Sequence, residues 1–525
     1  MTLRITAPTP PHLAAQYRQN GWWYQPPLRD GVERIAETDP DRVAVIDNVG
    51  TWTYAQLREH IEGGVGTLLD AGVGAGDAVV IVAPNSSKAV ASIYATLRAD
   101  AAAVVIDRRC GALDLANAIT SSGARFLVVP GELREKLRVG DHRVTELSLE
   151  TITSGRRVSD WTELDPALPR VVIFTSGTTK RSKGVIHTWE TMGVAVKNLE
   201  LCMDFVPGDR PFTSSPIATV TGLSQVFMAI PGGSLLLEDR FDPARSLAAI
   251  EQHRATCIGG APVILELLFA EYDRQGRTDS ALERISLGGT TIPRAVLEVA
   301  IERFGISPTR AYGSSEVPVH TYSHPDDSLE ERLSDDGSPS PGSECRLGEQ
   351  FHEGYELYVR GPNLFQGYLY DEDNQGVFVD GWFRTGDVVE LRGERVKVLG
   401  RLKDVAARKG LKISLAEVDD AAAVLGGGTQ GRLREVAAYA VEDDETGERV
   451  ALAVRIDGEH PTYDDVVESM LGHGLARGKL PEEIVFWDEP LPRNPMGKIV
   501  RAQLRDQAGA KPRALAPRLV VATDA

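Results

Sequence analysis

Short apolar runs punctuate the N-terminal half of the chain: DAVVIVAP at 77–84, AAAVVID at 101–107, ARFLVVP at 124–130, RVVIF at 170–174, SLLL at 234–237 and RISLGG at 284–289. Between them lie longer stretches in which apolar residues recur every three or four positions, most clearly at 53–71, 85–99 and 244–253. Strands buried on both faces read as continuous Val, Ile and Leu runs, and the intervening 3.6-residue period predicts amphipathic helices. The alternation predicts an α/β fold built of β/α layers. The stretch 185–200, after the RVVIF strand, reads as helical.

Past about residue 335 the pattern changes. A polar, turn-rich stretch, DDGSPSPGSE, precedes YELYVRG, GVFVDGWF and a candidate hairpin, VVELRGERVKVLG, which together predict a β-rich subdomain. Beyond Gly400, REVAAYAVEDDETGERVALAVRI predicts two alternating strands around a turn, with a helix near 463–476. The expected organisation is a large domain over 1–400 and a small α+β C-terminal domain over 401–525.

The 525 residues suffice for several compact units and a large core. A net charge of −18 argues against nucleic acid, whose affinity rests on Lys and Arg neutralising phosphates. Cys110, Cys202, Cys257 and Cys345 lie far apart without CxxC spacing, which argues against a disulfide framework or a structural zinc and for a cytoplasmic setting. No run approaches the roughly 18 apolar residues of a membrane span, so no membrane insertion is expected.

The segment TSGTTKRSKG, 175–184, stands directly after the RVVIF strand. A strand followed by a small, hydroxyl-rich loop and a Lys can grip phosphate through backbone N–H groups, hydroxyls and the ammonium of Lys183. A Ser/Thr-rich surface loop is the plain alternative. A Walker loop is excluded, because Ser182 precedes Lys183 and Gly184 follows it.

The segment resembles the phosphate-binding loop of the adenylate-forming superfamily, which contains acyl-CoA synthetases, aryl-acid AMP ligases, luciferases and nonribosomal adenylation domains. That loop usually reads TSGTTGxPKG; here Lys180 replaces the second Gly and Ser182 the Pro. Four further motifs similar to the superfamily's follow in order: YGSSE at 312–316, WFRTGD at 382–387, GRLKD at 400–404 and NPMGK at 494–498. With LRDGVERIAETDPDRVAVID and TWTYAQL near the start, the resemblance spans nearly the whole chain.

The resemblance implies an ATP-dependent acid–thiol ligase, closest in type to stand-alone acyl-CoA synthetases, that forms an acyl-AMP, releases pyrophosphate and passes the acyl group to CoA. It implies that Thr175, Ser176, Gly177, Thr178, Thr179 and Lys183 bind phosphate, and that Glu316 with Thr178 holds Mg2+. Gly289, Thr290, Thr291, Tyr312, Gly313, Ser314 and Ser315 would line the adenine side of the nucleotide site, with Asp387 and Arg401 at the ribose. Lys498 would be the catalytic cation, Asp404 the hinge of a mobile small domain, and Gly410, in ARKGLKIS, part of the thiol tunnel. Thr219, Gly222 and Gly288 would border the acyl pocket. Thr219 stands where many acyl-CoA synthetases carry a His in PLFHVxG, and the smaller side chain points to a bulky cyclic, aliphatic or terpenoid-like acid. The alternatives are an aryl-acid ligase loading the pantetheine of a carrier protein and a non-catalytic nucleotide or acyl-AMP-binding regulator.

Overall fold

The Val- and Ile-rich runs do form buried parallel strands in the computed structural model, which describes residues 3–23, 28–159, 165, 167–175, 181–290, 292–351, 354–402, 404–408, 411–423, 431–494 and 498–519. The run Ala78–Ala83 is buried at every position, pairing in parallel with Ala102–Asp107 on one side and Phe126–Val129 on the other. These strands belong to a six-stranded sheet in the order Thr145–Ser148, Phe126–Val129, Ala78–Ala83, Ala102–Asp107, Pro169–Phe174, Gly184–Thr188. Only the last pair is antiparallel.

The stretch 185–200 departs from its helical expectation. Gly184–Thr188 is a strand, and the helix begins only at Trp189. The β-branched Val185 and Ile186 pair antiparallel with Ile173 and Val172, and Thr188 then caps the helix by accepting a hydrogen bond from the Thr191 N–H.

A second, nine-stranded sheet has a parallel centre: Ser307–Tyr312, Arg284–Gly288, Cys257–Gly260, Pro211–Thr213, Leu235–Leu237 and Val43–Ile46. Ile61, Tyr94, Met192 and Phe227, from four helices, share one core with Val79, Ile81 and Val105 of the first sheet and Val45 and Leu235 of the second. Both sheets are thereby covered, as parallel sheets require. The expected helices appear as Tyr54–Asp70, Ser87–Arg98 and Pro243–His253, the first opened by a Thr53–Gln56 capping box.

The chain forms two compact units. The first comprises Met1–Cys345, Val359–Phe383 and Glu394–Val396; the second comprises Arg346–Tyr358, Arg384–Gly393 and Lys397–Ala525. The second contains a six-stranded sheet in which the long strands Gly431–Asp443 and Gly447–Gly458 form the expected antiparallel pair. The helices Leu415–Ala422 and Tyr463–Gly472 bury Val418, Val466 and Met470 in the same core as Leu452 and Ile484. Among the described residues no helix is long and apolar enough to cross a membrane.

Candidate active site

In the first unit the chemistry gathers at the carboxyl ends of parallel strands, where open α/β sheets bind ligands. The strand Ser307–Tyr312 runs directly into the loop Gly313–Glu316. This loop folds back tightly: a Cβ on Gly313 would lie 2.6 Å from the Val319 nitrogen and 2.7 Å from the Val317 carbonyl oxygen. The return passes through Val319 at φ +45°, a costly conformation for a β-branched residue, and Asn198 holds it by donating to the Val319 carbonyl at 3.0 Å. The outcome is that Glu316 is presented from a rigid turn, its own N–H donating to Ser314 Oγ at 3.2 Å.

Lys183 reaches the same place from the first sheet. Its strand begins at Gly184, and the Thr175 N–H donates to the Lys183 carbonyl at 3.0 Å, joining the two ends of the candidate phosphate segment. The Lys183 ammonium lies 4.6 Å from the centre of the Tyr368 ring, and the Tyr368 hydroxyl donates to Glu316 Oε1 at 2.7 Å. Tyr368 therefore connects the candidate phosphate-binding cation to the candidate metal-binding carboxylate. Asp373 lies 3.7 Å from the Lys183 ammonium and accepts from Arg181 at 3.0 Å, and the Arg181 guanidinium also covers the Tyr370 ring.

A third connection is buried. His187, on the strand that follows Lys183, has Nε2 2.8 Å from the Ser315 carbonyl oxygen and Nδ1 3.1 Å from Thr191 Oγ1. Complete burial lowers its pKa to about 4, so the ring is neutral and links the strand to the YGSSE loop as a donor to that carbonyl.

Ser176–Lys180 and Thr291 lie outside the described residues, as does Gly410. Gly289 has φ +77° and Thr290 beside it is exposed, at the end of the strand Arg284–Gly288. A Cβ on Gly288 would approach the Ala311 carbonyl oxygen to 2.5 Å, so the glycine admits the neighbouring strand. Thr219 is the N-cap of the helix Val220–Ala229: its hydroxyl accepts from the Gly222 N–H at 3.1 Å and donates to the Pro216 carbonyl at 2.7 Å. At Gly222 a Cβ would lie 2.2 Å from that same carbonyl oxygen, so this turn tolerates only glycine.

In the second unit Asp387 and Arg401 form an ion pair at 2.7 Å, with Asp387 almost fully buried. The Asp387 N–H donates to Thr385 Oγ1 at 3.0 Å, and that hydroxyl donates to the Leu357 carbonyl. Lys498 sits within the electrostatic reach of both residues. Burial and the nearby Arg401 lower its pKa to about 8, with Asp404 and Asp387 pulling the other way. Its backbone is clamped to Asn494, whose side chain accepts from the Lys498 N–H at 2.9 Å and whose own N–H donates to the Lys498 carbonyl. The Asp404 N–H donates to the Arg401 carbonyl at 3.0 Å.

Tyr368, Asp373 and His187 were missed by motif reasoning. For Tyr368 the only signal was a Gly–aromatic pair in NLFQGYLY; for His187 it was one imidazole in an otherwise apolar strand.

A Mg2+ ion suits this chemistry. It prefers a carboxylate and phosphate oxygens to an all-protein cage. Glu316 offers such a carboxylate beside a cation suited to phosphate.

Residues 32–369 match the AMP-binding enzyme family. The chain is 27% identical over 541 residues to the medium-chain fatty-acid–CoA ligase of Escherichia coli, an alignment covering 96% of this chain and 94% of that one. It is 28% identical to the indoleacetate–CoA ligase of Aromatoleum aromaticum, covering 92% and 98% respectively. Its fold is similar to that of o-succinylbenzoate coenzyme A synthetase from Bacillus subtilis, solved in complex with ATP and magnesium ion, with a TM-score of 0.79, 24% identity and coverage of 91% and 99%. The chain belongs to the AMP-binding enzyme family, and within it is an AMP-forming ligase of the acyl-CoA synthetase type, which joins a carboxylic acid to coenzyme A through an acyl-AMP at the expense of ATP.

Proposed function

We propose that the acid is a bulky cyclic, aliphatic or terpenoid-like carboxylate and that the motif residues divide the reaction between two half-steps. The observation that carries this reading is the Lys183–Tyr368–Glu316 constellation, which sets an ammonium over the face of one aromatic ring and a carboxylate at its hydroxyl. The triphosphate lies against the loop from Thr175 to Thr179 and against Lys183, where backbone N–H groups, hydroxyls and the ammonium meet its oxygens. Glu316 and Thr178 would hold Mg2+, which would supply positive charge to neutralise the phosphates. Tyr312, Gly313, Ser314, Ser315, Gly289, Thr290 and Thr291 border the base, and Asp387 accepts from the ribose hydroxyls beside Arg401.

Attack of a carboxylate on the α-phosphate concentrates negative charge, and an ammonium already in place stabilises it without reorganisation. Lys498 takes that role. Asp404 is the hinge and Gly410 leaves room for the pantetheine arm in the thioester step, a division in which the small domain serves the two half-reactions in turn. Support for a cyclic acid comes from a relative named for indoleacetate, and for an aliphatic one from a relative named for medium-chain fatty acids. Thr219, Gly222 and Gly288 border the acyl side.

ATP–pyrophosphate exchange across a panel of carboxylic acids tests the reading, with CoA added to follow the thioester. Exchange is expected with cyclic or branched acids. Exchange confined to short linear acids overturns the substrate proposal, and exchange with none overturns the assignment of these residues to catalysis.

A further inference from the structure

The outer edge of the strand Gly184–Thr188 is covered by residues 366–369. The Gln366 N–H donates to the Ile186 carbonyl at 2.8 Å, the Ile186 N–H to the Gly367 carbonyl at 3.0 Å and the Leu369 N–H to the Gly184 carbonyl at 2.9 Å. This brings Leu369 so close to the strand that a Cβ on Gly184 would lie 2.3 Å from its methyl carbon. The added segment carries Tyr368, whose ring touches Lys183 and whose hydroxyl binds Glu316.

That segment is itself held from its far side by the N-terminal residues. The N–H groups of Thr6 and Ala7 both donate to the Gln366 carbonyl, at 3.2 and 3.1 Å, and Thr9 and Gln366 exchange two hydrogen bonds. The Thr6 hydroxyl is the centre of the arrangement: it donates to the Tyr368 carbonyl at 2.6 Å and accepts from Asn374 Nδ2 at 3.1 Å, while Asn374 Oδ1 accepts from the Tyr368 N–H at 2.9 Å. The backbone can make this turn because Gly367 has φ +96°, and a Cβ there would fall 2.2 Å from Thr6 Oγ1. Both backbone polar groups of Tyr368 are thus fixed, one by Thr6 and the other by the asparagine that Thr6 holds.

We infer that Thr6 is a positioning residue for the phosphate and metal end of the nucleotide site, acting through Tyr368 on Lys183 and Glu316. The inference rests on the proposed roles of those two residues. A hydroxyl at the opposite end of the chain completes the placement of an aromatic ring on which an ammonium and a carboxylate both depend. Side chains that meet charged ligands work only when their own supports are fixed.

The test is calorimetric titration of the full-length protein with MgATP and, separately, with adenosine, so no acid substrate is needed. Thr6→Val keeps the volume and removes the hydroxyl; Thr6→Ala removes the same hydrogen bonds with less risk to the turn, and Thr6→Ser restores them. The expected result is a rise of about fivefold in Kd for MgATP in the Val and Ala variants, the scale of one lost neutral hydrogen bond, with adenosine binding unchanged and recovery in the Ser variant. Unchanged MgATP affinity in a folded Val or Ala variant, or equal weakening of both ligands, overturns the inference. Lys183→Ala and Glu316→Gln separate the two layers of the reading. If neither weakens MgATP, the site assignment fails; if both do and the Thr6 variants do not, only the role of Thr6 fails.

Discussion

Arg401 Nε donates to Asp387 Oδ1 at 2.7 Å, and this pair brings the last residue of WFRTGD and the arginine of GRLKD together in the second unit. Asp387 is almost fully buried and already accepts from a donor, so on the proposed role a ribose would have to share that carboxylate. Asp387→Asn keeps the shape and removes the charge. It is expected to weaken adenosine and MgATP binding together by roughly 10- to 100-fold, the scale of hydrogen bonds to a charged group, while Arg401→Lys loses less because a cation remains. Titration calorimetry distinguishes this from a phosphate effect, which would spare adenosine.

On the proposed phosphate site, Asp373 is expected to oppose nucleotide binding. Its carboxylate lies 3.7 Å from the Lys183 ammonium and accepts from Arg181, so a triphosphate must compete with it for both cations. Exposed ion pairs are weak, and Arg181 and Lys183 are only partly covered, so the effect is modest. Asp373→Asn is expected to tighten MgATP binding by about two- to fivefold at low salt and to lose the advantage at high salt, where screening weakens the pair in the parent protein as well. Weaker binding in this variant would show instead that the carboxylate orients Lys183 for the ligand.

The five motifs were legible because each is a contiguous run whose residue types carry their own chemistry: Lys183 after a hydroxyl loop, Glu316 after a Gly–Ser–Ser turn. What binds these motifs to one another was not. Tyr368 meets Glu316 across 52 positions and His187 meets Ser315 across 128, contacts set by sheet topology that leave no local period in the chain. Residues 185–188, part of the strand Gly184–Thr188, read as helix in the sequence for a related reason. Its five residues flow straight into a true helix at Trp189, and only antiparallel pairing with Pro169–Phe174 decides the state. Thr219 carries a role that no motif pointed to, since its hydroxyl caps a helix. Thr219→Ala is expected to cost about 1 kcal/mol of stability by denaturant titration.

His187 and His320, fully buried among the described residues, are expected to make the fold acid-sensitive. Burial lowers His187 and His320 each from 6.5 to about 4. Between these values the unfolded chain binds a proton that the native ring refuses, so stability is complete above pH 6.5 and falls as the pH drops toward 4. The loss is on the order of 3 kcal/mol for each ring. Urea midpoints at pH 7, 6 and 5 should decline, and His187→Gln should reduce the slope. An unaltered slope in that variant would mean that other groups carry the acid response.

Lys498 should write its own titration into the adenylation rate. With a pKa lowered to about 8 by burial and by Arg401, the side chain is an ammonium at neutral pH and an uncharged amine above it. On the proposed role, the charge that would stabilise the transition state is therefore present below pH 8 and lost as the pH rises through it. The value of kcat/KM for ATP–pyrophosphate exchange, which reports the free enzyme, is expected to be level near neutrality and to fall with an apparent pKa near 8; kcat should fall later, because bound phosphate favours the ammonium. Lys498→Arg, which stays charged, should have a lower plateau and no alkaline limb. Lys498→Ala should lose roughly 100- to 1000-fold in acyl-AMP formation, the scale of removing one preorganised electrostatic partner, while thioester formation from supplied acyl-AMP and CoA is largely spared. Equal loss in both half-reactions would show that the residue supports the second unit as a whole, and an alkaline limb that survives in the Arg variant would assign the titration to another group.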